Sequence, residues 1–230
     1  KPISEHCIPV AHGVQTIYTS RIGKTKQDAS NKLEIQRTFS NPFNNLPVVT
    51  GSGIKGAIRT AILDEINKGN ALTNDVRNEK NQATALQKKL LDYKGVDEDP
   101  LRLLKLGDST YQHTDNLNAT EILFATSRKR TPREGQEVNK MPVMLECIAP
   151  WRSRSFACDI ALLDRTLAEQ KAQKSFRIPV DLQTIAATCN RYYRPKLEKE
   201  LAFLDMRGYS HFNKTEAIWS RRLRALLAGE

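Results

Sequence analysis

The segment Leu46–Ile62 constrains this chain more than any other stretch. A short apolar run passes into a glycine-rich turn that opens directly into an amphipathic helix, and this turn contains Gly51, Ser52, Gly53 and Gly56. Glycine permits positive φ angles and close approach of another backbone, and the first N–H groups of a helix form an anion site. Lys55 and Arg59 add positive charge beside these donors. The pattern predicts a site that holds a phosphate.

The same glycines also satisfy G-x-G-x-x-G, so a nucleotide-binding protein is one alternative. A dinucleotide fold, however, needs a second parallel strand that ends in an acidic residue about 20 residues further on. Residues 64–94 are polar and helix-prone and show no buried-strand pattern. Ala57 stands where an NTPase loop has its lysine. A glycine turn that only packs a helix against a sheet is the other alternative.

The charge of the chain indicates a polyanionic partner. Lys and Arg total 36 against 26 Asp and Glu, which gives a net charge of +10. Such a surplus favours nucleic acid first and an anionic membrane second, with solubility alone as the plain alternative. No apolar run approaches the roughly 20 residues that cross a bilayer, so we expect no membrane partner. The scattered cysteines favour free thiols in a reducing cytoplasm, which is the expected location.

The cysteines give no sign of a metal site. Cys7, Cys147, Cys158 and Cys189 are scattered and lack C-x-x-C spacing. Zinc sites use clustered Cys and His ligands, so we expect free thiols, no metal and no cofactor.

The hydrophobic pattern predicts strands at 7–19, 33–39, 46–50, 102–107, 121–126, 142–149 and 155–163. It predicts helices at 54–68, 79–93, 164–174, 181–205 and 213–228. We expect the strands at 142–149 and 155–163 to pair with each other around Pro150–Arg154. Strands joined by hairpins and separated by long helices indicate an α+β fold.

Three further basic clusters lie along the chain, and two of them are candidate nucleic-acid contacts. A hairpin tip at 127–135 carries Arg128, Lys129, Arg130 and Arg133, which form either an arm that lies along a nucleic acid or a solvated loop. Trp151 with Arg152 and Arg154 could stack on a base, or Trp151 could pack in the core. The last helix carries Arg221, Arg222 and Arg224 on its outer face, and we expect a structural role there.

Signals for catalysis are weak, and we predict no catalytic residue. His12 could act as a general base, but a lone histidine is more often a structural residue. Asp108–Ser109 with His113 and Asp115 resembles an acid–base pair.

The residues Ile54–Thr60 match, one for one, the glycine-rich loop P-G-S-S-I-K-G-A-I-R-T of the RAMP superfamily of CRISPR-associated RNA-binding proteins, which this chain resembles. Thr50–Gly53 replaces the Pro-Gly-Ser-Ser of that loop. Three further segments resemble, in order, those of the fifth-subunit family of the type III-A (Csm) effector complex. They are Leu104–Ser109, which is similar to its F-R-V-S-D-S strand, Met141–Pro150, which is similar to its L-P-V-x-L-E-x-I-P-P-G-T hairpin, and Cys189–Tyr193, which is similar to its N-x-[FY]-Y helix. Nothing matches the N-terminal strand and H-I-G-x-G-like segment of the family, so we expect an N-terminal part to be absent.

The resemblance implies a ferredoxin-like (RRM-like) RAMP domain over residues 1–163, with a helical insertion at about 70–100, and a helical C-terminal part over 164–230. It implies a noncatalytic subunit that binds the 3′ region of the crRNA, caps the backbone filament and aids crRNA maturation. The implied partners are the backbone RAMP subunit, the small subunit, target RNA and host trimming nucleases. The Gly51–Gly56 loop would hold guide phosphates, with Lys55 and Arg59 as counterions, so that affinity falls steeply with salt and depends little on sequence.

A catalytic RAMP ribonuclease, either target-cleaving or guide-processing, is the alternative within the superfamily. Target-cleaving RAMP subunits carry an aspartate in a loop before the glycine motif. Asp28 is the only aspartate upstream of that motif here, and its basic surroundings do not support the role.

Overall fold

The computed structural model describes residues 7–23, 34–113, 118–125, 143–150, 152, 154–179, 181–206, 223–225 and 227–228. Its α-helices are α1 (His12–Arg21), α2 (Gly51–Asn67), α3 (Asn74–Arg77), α4 (Gln82–Leu91), α5 (Thr166–Ala172) and α6 (Leu182–Met206). Its strands are β1 (Ile35–Gln36), β2 (Leu104–Leu106), β3 (Thr110–Tyr111), β4 (Thr120–Ala125), β5 (Val143–Ile148), β6 (Phe156–Ala157) and β7 (Ile160–Leu162). The predicted α+β class is confirmed. The chain divides into two compact units, a first unit of Lys1–Gly51 with Gly107–Asp159 and a second unit of Ser52–Leu106 with Ile160–Glu230.

The first unit is built on a three-stranded sheet in the order β1-β5-β4. Strand β4 runs antiparallel to β5 with Leu123 opposite Leu145, and β1 runs parallel to β5. Alternate side chains of a strand point to opposite faces, and this places Ile122 and Met144 on the buried side with Val14 of α1. A separate antiparallel pair joins β3 to β6.

The second unit packs helices around a short antiparallel pair, β2 with β7. Its core contains Ile58, Ile62, Leu91, Leu101, Leu103, Leu104, Phe176, Ile178 and Ile185. Ile58 and Ile62 lie four residues apart, so they share one face of α2. That face is buried, and the opposite face of α2 is exposed.

Three expectations about local structure are wrong. Residues 12–21 form helix α1 rather than a strand, because Val14, Ile17 and Tyr18 also fit a spacing of three and four residues. Residues 46–50 form no strand beyond an isolated bridge between Ser40 and Pro47. The run at 155–163 is split, because the Asp159 carbonyl accepts the Gly107 N–H at 3.0 Å. Its halves pair with β3 and β2 instead of with β5.

The other predicted elements fall near their expected positions. The helices at 54–68, 164–174 and 181–205 correspond to α2, α5 and α6, and the strands at 102–107, 121–126 and 142–149 to β2, β4 and β5. The helix expected at 79–93 begins at Gln82 and follows the short α3. The last predicted helix lies outside the described residues except at 223–225 and 227–228.

The ferredoxin-like arrangement and the division of the chain at residue 163 stay predictions. No helix in the described part of the chain is long and apolar enough to cross a bilayer.

Candidate functional site

The three glycines of the motif lie inside a helix rather than in a turn. Helix α2 begins at Gly51, and the glycines with positive φ in the described ranges are Gly23 and Gly69. The predicted positive-φ turn is therefore wrong. Within residues 34–113, α2 is followed by α3 and α4 rather than by a second parallel strand. The dinucleotide-binding alternative lacks the sheet that it needs.

The start of α2 is fixed by residues 107–109. The Gly51 N–H donates to the Asp108 carboxylate at 2.8 Å, and the Val49 N–H donates to the Ser109 hydroxyl at 2.8 Å. The Ser109 N–H donates in return to the Val49 carbonyl at 2.9 Å. A carboxylate at the N-terminus of a helix is favoured by the helix dipole. The first donor of the predicted anion site is therefore already bound by the chain's own carboxylate, and Asp108 and Ser109 have a structural role.

Up to Thr60, the exposed face of α2 consists of small side chains. These residues are Ser52, Gly53, Gly56, Ala57 and Thr60, whereas the acidic Asp64 and Glu65 are exposed further along the helix. A Cβ atom added at Gly56 would meet no other atom within 4 Å. Another backbone, such as that of a nucleic acid, can therefore approach α2 closely at this point.

A cluster of positive charge lies beside this face and comprises Lys55, Lys105 and Arg59. Burial lowers the pKa of the half-buried Lys55, and the neighbouring charges of Lys105 and Arg59 lower it further, against an opposing effect of Asp99. The Lys55 ammonium group makes no hydrogen bond or ion pair with the described residues. Lys105 is exposed because the side chains of β2 alternate and Leu104 is fully buried. Lys105 is not among the site residues predicted from the sequence, although the alternation of apolar and polar side chains in Leu104–Leu106 could have identified it.

Arg59 is held by an acidic partner. Its guanidinium group forms an ion pair with Asp99, and the two side chains are 21% and 12% exposed. It also donates to the Gln87 side chain at 3.4 Å. Asp99 caps the 3₁₀-helix Pro100–Leu103 by accepting the Leu101 N–H at 3.0 Å. Arg59 thus ties α2 to that helix, and its role as a phosphate counterion stays a prediction.

Among the remaining predicted residues, Arg152 belongs to the first unit, whereas the cluster belongs to the second. Arg152 donates to the Tyr111 hydroxyl at 2.5 Å and to the Asn118 carbonyl at 3.0 Å. Six others lie outside the described residues, namely Arg128, Lys129, Arg130, Arg133, Trp151 and Asp28. Asp115 also lies outside the described residues.

The candidate acid–base residues are dispersed in the first unit. His12 is exposed at the start of α1, and the His113 ring lies 5.6 Å from the Tyr111 ring. Among the described residues, no group of three or more His, Cys, Asp or Glu side chains could hold a metal ion. The four cysteines are free.

Comparisons with known proteins identify a similar fold and the family of this chain. The crystal structure of Csm5 from T. onnurineus is similar, with a TM-score of 0.51 and 16% identity over 76% of this chain and 57% of that one. The likeness is one of fold, and the chain spans little more than half the length of that protein. No curated protein matches this chain. The family model of the RAMP superfamily matches residues 14–220. Because that match spans most of the sequence, the chain belongs to the RAMP superfamily.

Proposed function

We propose that this protein is a noncatalytic, RNA-binding subunit of a type III-A (Csm) CRISPR complex. It binds the 3′ region of the crRNA, caps the filament of backbone subunits and aids crRNA maturation. Membership of the RAMP superfamily and the fold shared with Csm5 support this proposal. The observation that carries it is the pair Lys55–Lys105, two neighbouring cations beside the open face of α2.

Phosphate binding at this pair follows from its electrostatics. The positive charge of Lys105 disfavours the charged form of the Lys55 ammonium group, so the pKa of Lys55 is lowered by Lys105 as well as by burial. A phosphate bound beside Lys55 favours the charged form and raises the pKa of Lys55 again. Gly56 leaves room for the sugar–phosphate backbone beside the lysines. Contacts of this kind grip the backbone and carry little base specificity.

In the complex, the partners of this chain are the crRNA, target RNA, the neighbouring backbone RAMP subunit and the small subunit. Trimming nucleases of the host act on the same 3′ end. The chain's own role is to protect and position that end rather than to cut it.

A salt series with a single-stranded guide RNA tests the phosphate site. Removing one cation that neutralises a phosphate of a single strand reduces the salt slope of log K by about 0.7. We expect Lys55→Gln and Lys105→Gln each to reduce the slope by about this amount, equally for a guide and for its scrambled sequence. Lys88→Gln on α4 removes the same charge from another exposed position of the second unit and serves as the control. Equal slopes for all three variants would contradict the site.

A denaturing gel tests the noncatalytic role. Labelled guide and target RNA are incubated with the protein, with Mg²⁺ and with EDTA, and we expect both to stay intact. Cleavage that is abolished in His12→Ala or Asp28→Ala would favour the catalytic alternative.

A further inference from the structure

Two adjacent tyrosines on α6 lie beside the second turn of α2. The Tyr193 hydroxyl donates to the Ala57 carbonyl at 3.0 Å. The Tyr192 and Tyr193 rings meet edge to face, with centroids 4.7 Å apart and planes at 90°. The Lys196 ammonium lies 3.3 Å from the centroid of the Tyr192 ring and donates to the Tyr192 carbonyl at 3.2 Å.

These contacts fix the Tyr193 side chain at its hydroxyl and at its ring, but they leave part of it accessible to solvent. The hydroxyl is tied to α2 and the ring is braced by Tyr192, yet 39% of the residue is exposed. An exposed aromatic ring that is already fixed loses little conformational entropy when a ligand packs on it. Nothing in the core of the second unit requires this ring, because the buried cluster there is built from other residues.

The charges around the ring favour a nucleobase over a phosphate as its ligand. Arg191 is paired with Glu65, and Arg194 is paired with Glu198. The third cation, Lys196, lies over Tyr192. The local surface therefore offers an aromatic ring, whereas the phosphate-binding cations are Lys55 and Lys105.

We propose that Tyr193 is a stacking platform for one base of the RNA whose phosphates lie at Lys55 and Lys105. This inference rests on the proposed function. Stacking on an aromatic side chain accepts any base, since every base has a π-face, so the site adds affinity without sequence preference.

The test compares two single-stranded RNAs of about 12 nucleotides, an oligouridylate and the same backbone with abasic residues. Tyr193→Leu keeps apolar bulk and removes the aromatic ring, whereas Tyr193→Phe keeps the ring and removes the hydrogen bond to Ala57. Tyr18→Leu on α1 is the matched control, because Tyr18 is 44% exposed. Thermal melting of each variant establishes that it is folded.

We expect Tyr193→Leu to weaken oligouridylate binding about 5- to 10-fold, the lower end of the range for removing one stacked base, and to leave abasic RNA binding unchanged. Tyr18→Leu should bind both RNAs like the unaltered protein, and Tyr193→Phe should lose less oligouridylate affinity than Tyr193→Leu because it keeps the ring. If Tyr193→Leu changes neither affinity, or changes both equally, the stacking site is overturned while the proposed function stands. If the unaltered protein binds neither RNA at any salt concentration, the proposed function fails and the stacking site fails with it.

Discussion

At the scale of single residues, Arg59 and Lys55 carry the same charge on the same helix but have different surroundings. Arg59 is bound to Asp99 and half-buried. Removing one partner of such a pair leaves the other charge without compensation, so we expect Arg59→Gln to lower the free energy of unfolding by about 1–3 kcal/mol. Adding Asp99→Asn to the same chain should restore part of the lost free energy of unfolding. This change removes the uncompensated carboxylate, and its amide oxygen still caps the 3₁₀-helix. Urea unfolding of the two single variants and the double variant measures the coupling, and strictly additive effects would contradict it.

Gly56 permits a second prediction at this scale, in which stability and binding change in opposite directions. Alanine is preferred over glycine inside a helix by roughly 0.5–1 kcal/mol, and a Cβ at this position meets nothing in the chain. We expect Gly56→Ala to raise the free energy of unfolding and yet to weaken RNA binding, because the methyl group occupies the space of the approaching backbone. Gly13→Ala on α1 is the control, since its Cβ also has open space and should raise stability without affecting RNA. Unchanged RNA affinity in Gly56→Ala would show that no backbone comes close there.

At the scale of elements, the start of α2 depends on Ser109. This side chain is buried, with 4% of its surface exposed, and its hydroxyl accepts the Val49 N–H. A buried N–H that is deprived of its acceptor costs about 1–3 kcal/mol, and we expect the lower end of this range because Val49 is only partly buried. We expect Ser109→Ala to lower the melting temperature and to speed hydrogen exchange at Val49. Ser52→Ala, on the exposed face of α2, should do neither, and equal exchange rates at Val49 would contradict the role of Ser109.

The three-stranded sheet of the first unit contains a pH-dependent interaction at Glu146 on β5. Its side chain accepts hydrogen bonds from Arg37 at 2.5 Å and from Thr120 at 2.8 Å. Burial raises the pKa of Glu146, but these hydrogen bonds outweigh it, so the net pKa lies below the usual 4.5. A lowered carboxyl pKa stabilises the folded state above the unfolded-state pKa, and this stability is lost as the pH falls through the folded-state value.

We therefore expect the free energy of unfolding to fall as the pH drops from about 5 to about 3. Glu146→Gln should be less stable than the unaltered protein at neutral pH and should lose less stability over that range. Urea titrations at each pH measure both, and parallel curves for the two proteins would exclude Glu146 as the source.

At the scale of the whole molecule, each compact unit is assembled from segments that are distant in sequence. The core of the second unit combines Ile62 and Leu104 with Phe176, Ile178 and Ile185. The last three side chains lie beyond residue 163, and each contributes about 1.5–3 kcal/mol by burial. Their sum is comparable with the 5–15 kcal/mol that holds a typical domain together.

We expect a fragment of residues 1–163 to lose the second unit. Hydrogen exchange should show rapid exchange throughout α2 in the fragment and slow exchange in the full chain. Slow exchange of α2 in the fragment would instead support an independent domain that ends at residue 163.

The sequence by itself determined the features that depend on neighbouring residues. The pattern Ile54–Thr60 identified the superfamily, and the spacing of apolar residues located α2, α5 and α6 closely. Helical periodicity is visible in one short window because hydrogen bonds in a helix join residues four positions apart. The surplus of Lys and Arg likewise pointed to a polyanion.

Only the tertiary structure decided which groups meet. The hydrogen bond of Gly51 to Asp108 joins residues 57 positions apart, and the pair Arg59–Asp99 joins residues 40 apart. Such interactions depend on how the chain folds back on itself, and no local pattern encodes them. For the same reason the partners of β6 and β7 were mispredicted, since strand pairing is non-local. The fold thereby assigned Arg59 to an internal ion pair and placed Lys105, which lies outside the motif, near Lys55.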